Sequence, residues 1–287
     1  MKQVELSLQR LRGTLKAIGV SPDPIMVLGM HRSGTTMLVD VLQRAGVFMG
    51  SRLSGNLEPR VFQDANRQIF DYFGASWLDG YLLPKAEVFH KGYAGLASSI
   101  ADRLNADLQI AFFDTAPVAC RLWGFKDPRT SVTAGLFLRL FPEARAIFIH
   151  RDPLDVALSI VTRERNQKRK HPGMDAFEFS PKELQELMMR SVVAWETYNE
   201  RAIDVFRMFQ HRSLLQYESV VSAPVDKIGP ALALVGVSIS REAIDSVGIS
   251  PARPGSATKL NVDLSQLQAF LAESKVAIRL IEDSLVV

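Results

Sequence analysis

The run Ile25-Met26-Val27-Leu28-Gly29, followed by Met30-His31-Arg32-Ser33-Gly34-Thr35-Thr36, restricts the folds open to this chain more than any other stretch. Four apolar residues closed by a glycine have the pattern of a strand buried on both faces, as in a parallel sheet. Residues 35–45 then place Thr36, Met37, Val41, Leu42 and Ala45 at helical spacing. Between strand and helix, Gly29 and Gly34 let the backbone turn tightly and approach an anion closely. The N–H groups of such a loop and of the first helical turn point at a phosphate. The spacing is G-x4-G, yet Thr35 stands where a nucleoside-triphosphate loop has its lysine, and the loop's cation is Arg32.

The same strand–turn–helix order recurs. Arg121–Phe125 reads as a strand, Lys126–Arg129 as a loop, and a helix follows through Leu140. Arg145–Ile149 leads through His150–Asp152 into a helix from Pro153 to about Thr162, with Asp152 as N-cap and Pro153 at the first helical position. Leu214–Tyr217 leads to a loop and then a helix around Val225–Val235, and residues 181–209 read as one long helix. Strands alternating with helices predict an α/β fold: a phosphate-loop-type three-layer domain with a mainly parallel central sheet flanked by helices. Ligands then bind beyond the carboxyl ends of the strands, where each of these loops falls. The whole chain, 1–287, reads as a single domain, and the less regular segment 51–103 as a substrate-side insertion. Residues 2–18 form an amphipathic helix whose apolar face suits core packing, with a homodimer contact as the other use.

Composition excludes several classes. Lys and Arg total 34 and Asp and Glu 31, so the net charge of +3 does not describe a polyanion-coating protein but permits a local anion site. The lone cysteine, Cys120, leaves no disulfide and no structural cysteine zinc site within the chain, which fits a reducing compartment. No apolar run approaches the ~18–20 residues of a membrane span, and the charged start lacks the apolar core of a signal peptide; both point to the cytoplasm. The basic cluster 163–171 reads first as a solvated face and second as a gate that attracts an anionic nucleotide or acidic acceptor. It carries no interleaved aromatic residues, so no nucleic acid partner is expected.

Gly29–Thr36 resembles the 5′-phosphosulfate loop of sulfotransferases that use 3′-phosphoadenosine 5′-phosphosulfate (PAPS). That resemblance, which covers about residues 24–240, assigns Arg32, Ser33, Gly34, Thr35 and Thr36 to this part of the donor. It implies a second anion site in which an Arg and a Ser eight residues apart clasp the 3′-phosphate, and Arg151 and Ser159 have that spacing. A guanidinium suits a phosphate because it donates a planar fork of hydrogen bonds. Tyr217, in Leu214–Glu218, resembles the tyrosine that meets the adenine end of the nucleotide, and Ser256 and Lys259 a C-terminal loop that closes over it. The product would be 3′-phosphoadenosine 5′-phosphate (PAP), and the family needs no metal.

Sulfuryl transfer requires acceptor and leaving oxygens in line with sulfur, and fixed cations for the charge that builds on the leaving phosphate. Arg32 is the first candidate cation and Lys126 the second; Lys126-Asp127-Pro128 resembles a motif in tyrosylprotein and bacterial sulfotransferases, and in the tyrosylprotein enzymes that lysine assists transfer. Asp127 is placed to orient Lys126 or Arg129. The acceptor hydroxyl needs a general base. Glu58 stands where several carbohydrate and tyrosylprotein members have a glutamate, with Asp64 and His90 in reserve. The expected activity is transfer from PAPS to the hydroxyl of a saccharide or small molecule. A phosphate-loop kinase and a non-catalytic nucleotide binder are the alternatives.

Overall fold

A computed structural model describes residues 2–117, 121–169, 179–249 and 265–274. At its centre lie four parallel strands, β1 (Ile25–Leu28), β2 (Gly124–Lys126), β3 (Arg145–His150) and β4 (Arg212–Gln216), in the order β2-β1-β3-β4. Ile25 stands opposite both Gly124 and Arg145, and Ala146 opposite Arg212. The strand expected over Arg121–Phe125 starts later and takes in Lys126, because Trp123 makes only an isolated bridge, with Phe48. Tyr217 does not end β4 but opens a short helix, α9 (Tyr217–Ser222).

Side chains alternate across the sheet and feed two cores. Ile25 and Val27 of β1 and Ile147 and Ile149 of β3 face α2 (Thr35–Arg44), α10 (Pro224–Leu234) and α11 (Arg241–Asp245). Met26, Leu28 and Phe148 face a larger layer built from α1 (Lys2–Ile18), α3 (Arg60–Tyr72), α4 (Ala86–Lys91), α5 (Ala94–Asp107), α6 (Thr130–Leu140) and α8 (Pro181–Phe206). The three layers are those the alternating pattern predicts. Helix α7 (Pro153–Arg169) and α8 share a third cluster with α12 (Ser265–Ala272). The apolar face of α1 is used within the chain: Leu11 and Leu15 are fully buried, and Thr14 donates to Asn105 of α5 at 2.6 Å.

Segment 51–103 is not the irregular stretch that its glycines and charges suggest. It holds α3, α4 and α5, and Phe62, Ile69, Phe89 and Ile100 lie in the same core as the sheet. Val61, Phe62, Ala65, Ile69 and Phe70 recur at helical spacing and bury one face, so the polar residues between them mark the other. Phe62 stacks on Phe125 of β2 with centroids 3.7 Å apart. Likewise α7 runs to Arg169 rather than stopping near Thr162, so the first part of the basic cluster continues a helix. Its later residues Lys170 and His171, and also Ser256 and Lys259, lie outside the described residues.

The strand order locates the crevice. From β1 the chain goes to β2 on one side, then returns to place β3 on the other. Loops leaving β1 and β3 therefore diverge at the carboxyl edge and leave a gap between them.

Candidate active site

The loop after β1 is shaped by close approach as much as by turning. A Cβ on Gly29 (φ 148°) would lie 2.5 Å from the carbonyl oxygen of Ile149, and one on Gly34 (φ 96°) 2.5 Å from the Tyr217 ring. Gly29 N–H donates to Ser131 of α6 at 2.8 Å, which ties the loop to the layer beneath. Arg32 takes a left-handed φ of 70°, uncommon without glycine. Gly34 precedes α2 and, among the described residues, no side chain caps that helix, which leaves its first-turn N–H groups without a side-chain acceptor beside the crevice.

A cavity of about 200 Å³ opens there, lined by His31, Arg32, Gly34, Thr35, Thr36, Asn56, Glu58, Lys126, Pro128, Arg151, Arg163 and Tyr217. All four strand ends contribute. β1 supplies the loop, β2 Lys126, β3 Arg151 and β4 Tyr217.

Arg32 donates from Nε to Ser159 Oγ at 2.8 Å. Loss of solvent, then the charges of Arg163 and Arg151, lower its pKa from the ordinary guanidinium value, and an arginine stays protonated regardless. Arg151 pairs with Asp155 at 2.9 Å, lies over the Tyr217 ring at 4.6 Å, and reaches the carbonyl oxygen of Arg32 at 3.4 Å. Among the described residues its Nε is buried without a hydrogen-bond partner, as is Ser33 Oγ. Such orphaned polar groups are costly unless a ligand satisfies them. Asp152 caps α7 by accepting from Asp155 N–H at 2.9 Å, as the sequence predicts.

The opposite wall centres on a buried ion pair. Lys126 Nζ stands 3.0 Å from Glu58 Oε1, 2.6 Å from the Asn56 carbonyl oxygen and 3.4 Å from Thr36 Oγ1, with 1% of Lys126 and 7% of Glu58 exposed. Burial lowers the Lys126 pKa and the carboxylate beside it works against that shift. Gln63 donates to the other Glu58 oxygen at 2.6 Å. Asp127 orients Arg129, not Lys126, through contacts of 2.6–3.1 Å, and Arg129 in turn donates to the Gln63 carbonyl oxygen at 3.2 Å.

The two reserve bases are not brought to the cavity. Asp64 pairs with Arg67 at 2.8 Å on the outer face of α3, and His90 lies on α4. Four lining residues were not singled out individually by the motifs: His31, Asn56, Pro128 and Arg163. Asn56 acts through its backbone carbonyl, which no sequence signal marks. His31 packs edge-on against Trp77 at 4.8 Å. Burial, reinforced by Arg163, Arg129, Lys126 and Arg32, drives its pKa well below the ordinary value, so its ring is neutral at pH 7. Arg163 follows Ser159 by one helical turn, a spacing that puts both on one face of α7.

Among the described residues no group of three or more His, Cys, Asp or Glu is arranged to hold a metal ion, and no helix is long and apolar enough to cross a membrane.

Residues 24–241 match the profile of the Sulfotransferase family. No curated protein matches the chain. A solved sulfotransferase from Alicyclobacillus acidocaldarius superposes with a TM-score of 0.53 at 16% identity, over 89% of this chain and 93% of that one. Sulfotransferase STF9 from Mycobacterium avium gives 0.48 at 17% identity, over 86% and 71%. A mouse sulfotransferase in complex with PAP gives 0.42 at 14% identity, over 83% and 66%.

Proposed function

The chain belongs to the sulfotransferase family, and we propose that it transfers a sulfuryl group from PAPS to the hydroxyl of a saccharide or small-molecule acceptor, leaving PAP. The observation that carries this reading is the meeting of two anion-binding elements in one cavity. The uncapped start of α2 with Arg32 stands on one side and Arg151 at the end of β3 on the other. The two orphaned groups, Ser33 Oγ and Arg151 Nε, favour an anionic ligand with several phosphoryl oxygens.

Bound PAPS supplies an activated sulfur–oxygen bond. The protein supplies position and charge. In this reading Arg32 and the first-turn N–H groups of α2 meet the charge that develops on the leaving phosphate. Arg151 and Ser159 hold the 3′-phosphate, and Tyr217 packs toward the adenine end. Arg32 must first leave Ser159, since the two are hydrogen-bonded. Glu58 takes the proton of the acceptor hydroxyl as the sulfuryl group moves to that oxygen. Each carboxylate oxygen keeps a lone-pair site beyond the bond it already accepts. Lys126, expected as the second cation for the charge on the leaving phosphate, has acceptors for all three of its hydrogens and is nearly solvent-free. We assign it the positioning of Glu58 and of Thr36. With a single cysteine in the chain, we place the reaction in the cytoplasm.

Thermal stability separates this reading from the alternatives. PAP at 100 times its dissociation constant stabilises the fold by about 2.7 kcal/mol, a readily measured shift. The expected result is a larger shift with PAP than with ADP, lost in Arg151→Ala. Tighter binding of ATP with magnesium than of PAP would return the kinase reading, and PAP binding without transfer to any acceptor would leave a nucleotide binder.

A further inference from the structure

We propose that Gln63 is a positioning residue for the transfer step: it holds the second carboxylate oxygen of Glu58, so that the proposed base keeps one orientation toward the acceptor hydroxyl. This role rests on the sulfotransferase reading of the cavity.

The backbone of Glu58 is fixed by its own turn. Glu58 N–H donates to Ser54 Oγ at 3.2 Å, and the Glu58 carbonyl oxygen accepts from Ser54 N–H at 2.9 Å. Leu57, just before it, takes a left-handed φ of 57°. That turn places the Cα but not the carboxylate. The last torsion of a glutamate joins a tetrahedral carbon to a planar one and has no sharp preference. Lys126, on Oε1 alone, would leave the carboxylate free to swing about that single contact. Gln63 Nε2 donates to Oε2 at 2.6 Å. Two donors on two oxygens fix the plane of the group.

Gln63 is itself held. It stands in the first turn of α3, where its N–H donates to the Pro59 carbonyl oxygen at 2.9 Å. Its own carbonyl oxygen accepts from Arg129 Nη2 at 3.2 Å, and Arg129 is locked onto the fully buried Asp127. Phe62 and Asn66 fasten the same stretch of helix. Phe62 stacks on Phe125, while Asn66 donates to Thr130 at 3.0 Å and accepts from Thr133 at 2.6 Å. Lys126 and Arg129 lie on one turn after β2. That turn therefore reaches the carboxylate from two sides, directly through Lys126 and indirectly through Arg129 and Gln63.

The contact calls for an amide. An ionised carboxylate only accepts, so the group facing it must bring an N–H. A second carboxylate at that distance would repel it or share a proton with it, and a shared proton removes the base. A neutral donor orients the oxygen without adding a second full charge to the one that Lys126 brings.

The test follows turnover of labelled PAPS with water and with para-nitrophenyl β-D-glucoside as acceptors, beside calorimetric PAP affinity. Gln63→Leu is expected to lower kcat about tenfold or more, with PAP affinity and the glucoside KM within about twofold of the parent. Gln63→Glu, equal in size but lacking the donor, should lose at least as much at pH 7, and it serves should Gln63→Leu fail to fold. In a Glu58→Gln background, Gln63→Leu should lower the residual rate by less than about twofold, because no base is left to orient. A Gln63→Leu kcat within about twofold of the parent overturns the proposal. So does an equal loss in both backgrounds, or a loss of PAP affinity as large as the loss of rate. A Glu58→Gln rate equal to that of the parent overturns the choice of base, and this role with it. The side-chain amide signals of Gln63 in the NMR spectrum, identified by their loss in Gln63→Leu, need no turnover. They are expected to shift in Glu58→Gln, and unshifted signals overturn the proposal. A parent that turns over no PAPS would instead overturn the transfer reading, while the amide signals still decide whether Gln63 holds the carboxylate.

Discussion

Lys126 and Glu58 meet at 3.0 Å inside the protein, joining the last residue of β2 to the loop before α3. A pair this well buried gains little net stability, yet loss of either partner leaves an uncompensated charge. Lys126→Ala should cost about 3–5 kcal/mol in urea denaturation. Lys126→Met should cost less than Lys126→Ala only by the packing it restores. A loss below about 1 kcal/mol for both would mean that water reaches the pair.

Glu58→Gln keeps the size and one acceptor of the side chain but abolishes the proposed base. Transfer should fall by about 10²–10⁴-fold, with PAP affinity within about twofold of the parent. Asp64→Asn, on the outer face of α3, should leave the rate unchanged. The opposite ranking, read from initial rates with labelled PAPS, would move the base away from the Lys126 pair.

Arg151→Ala should discriminate between nucleotides. Loss of a charged hydrogen-bonding group costs about 1.5–3 kcal/mol, or roughly 10- to 150-fold, and the cost should appear with PAP but not with ADP. Comparable losses for both would assign Arg151 to the 5′ end of the ligand instead.

Gly34→Ala adds a methyl group 2.5 Å from the Tyr217 ring at a φ of 96°. The left-handed backbone alone costs about 1–2 kcal/mol, and the contact adds to it. The double variant Gly34→Ala/Tyr217→Ala should recover the contact and leave the backbone cost, as equilibrium unfolding of all four proteins would reveal. Full recovery would mean that the backbone conformation is unstrained.

Two histidines set the acid limit. Burial takes His150 down to about 4, and His31 is also held well below its ordinary value. The unfolded chain, with histidines near pH 6.5, then binds more protons than the folded one. Stability is therefore level above about pH 6.5 and falls as the pH drops from there toward about 4, by about 1.4 kcal/mol per pH unit for each histidine. Urea midpoints at pH 7, 6 and 5 should show the decline, and His150→Phe should shallow it. An unchanged slope would place the proton uptake elsewhere.

What the sequence revealed follows the range of each interaction. The turn between Gly29 and Gly34, the Asp152 cap and the alternation of strands with helices depend on residues within a few positions of one another, and all were legible. The turn of α7 that carries Arg163 was within reach too, since Ser159 and Arg163 are one turn apart. The Lys126–Glu58 pair was visible only as two separate candidates, because α3 and Phe62 must pack on β2 before they meet. His31 read as a loop residue, and only the approach of Trp77 and Tyr198 encloses it. Segment 51–103 misled because polar residues on the outer face of α3 broke up its apolar face.

The order β2-β1-β3-β4 also governs when this site can exist. Ile25 waits for Gly124 and Arg145, and β3 in turn waits for Arg212. During synthesis the Tyr217 wall is therefore the last of the four strand ends to emerge, long after the glycine loop has been made. Non-local parallel pairing of this kind is slow. An unfinished or truncated chain keeps the glycine loop but has no complete cleft, so ligand capture reports the completed sheet. Nucleotide added during refolding should act on the final step of assembly and leave the earlier ones untouched.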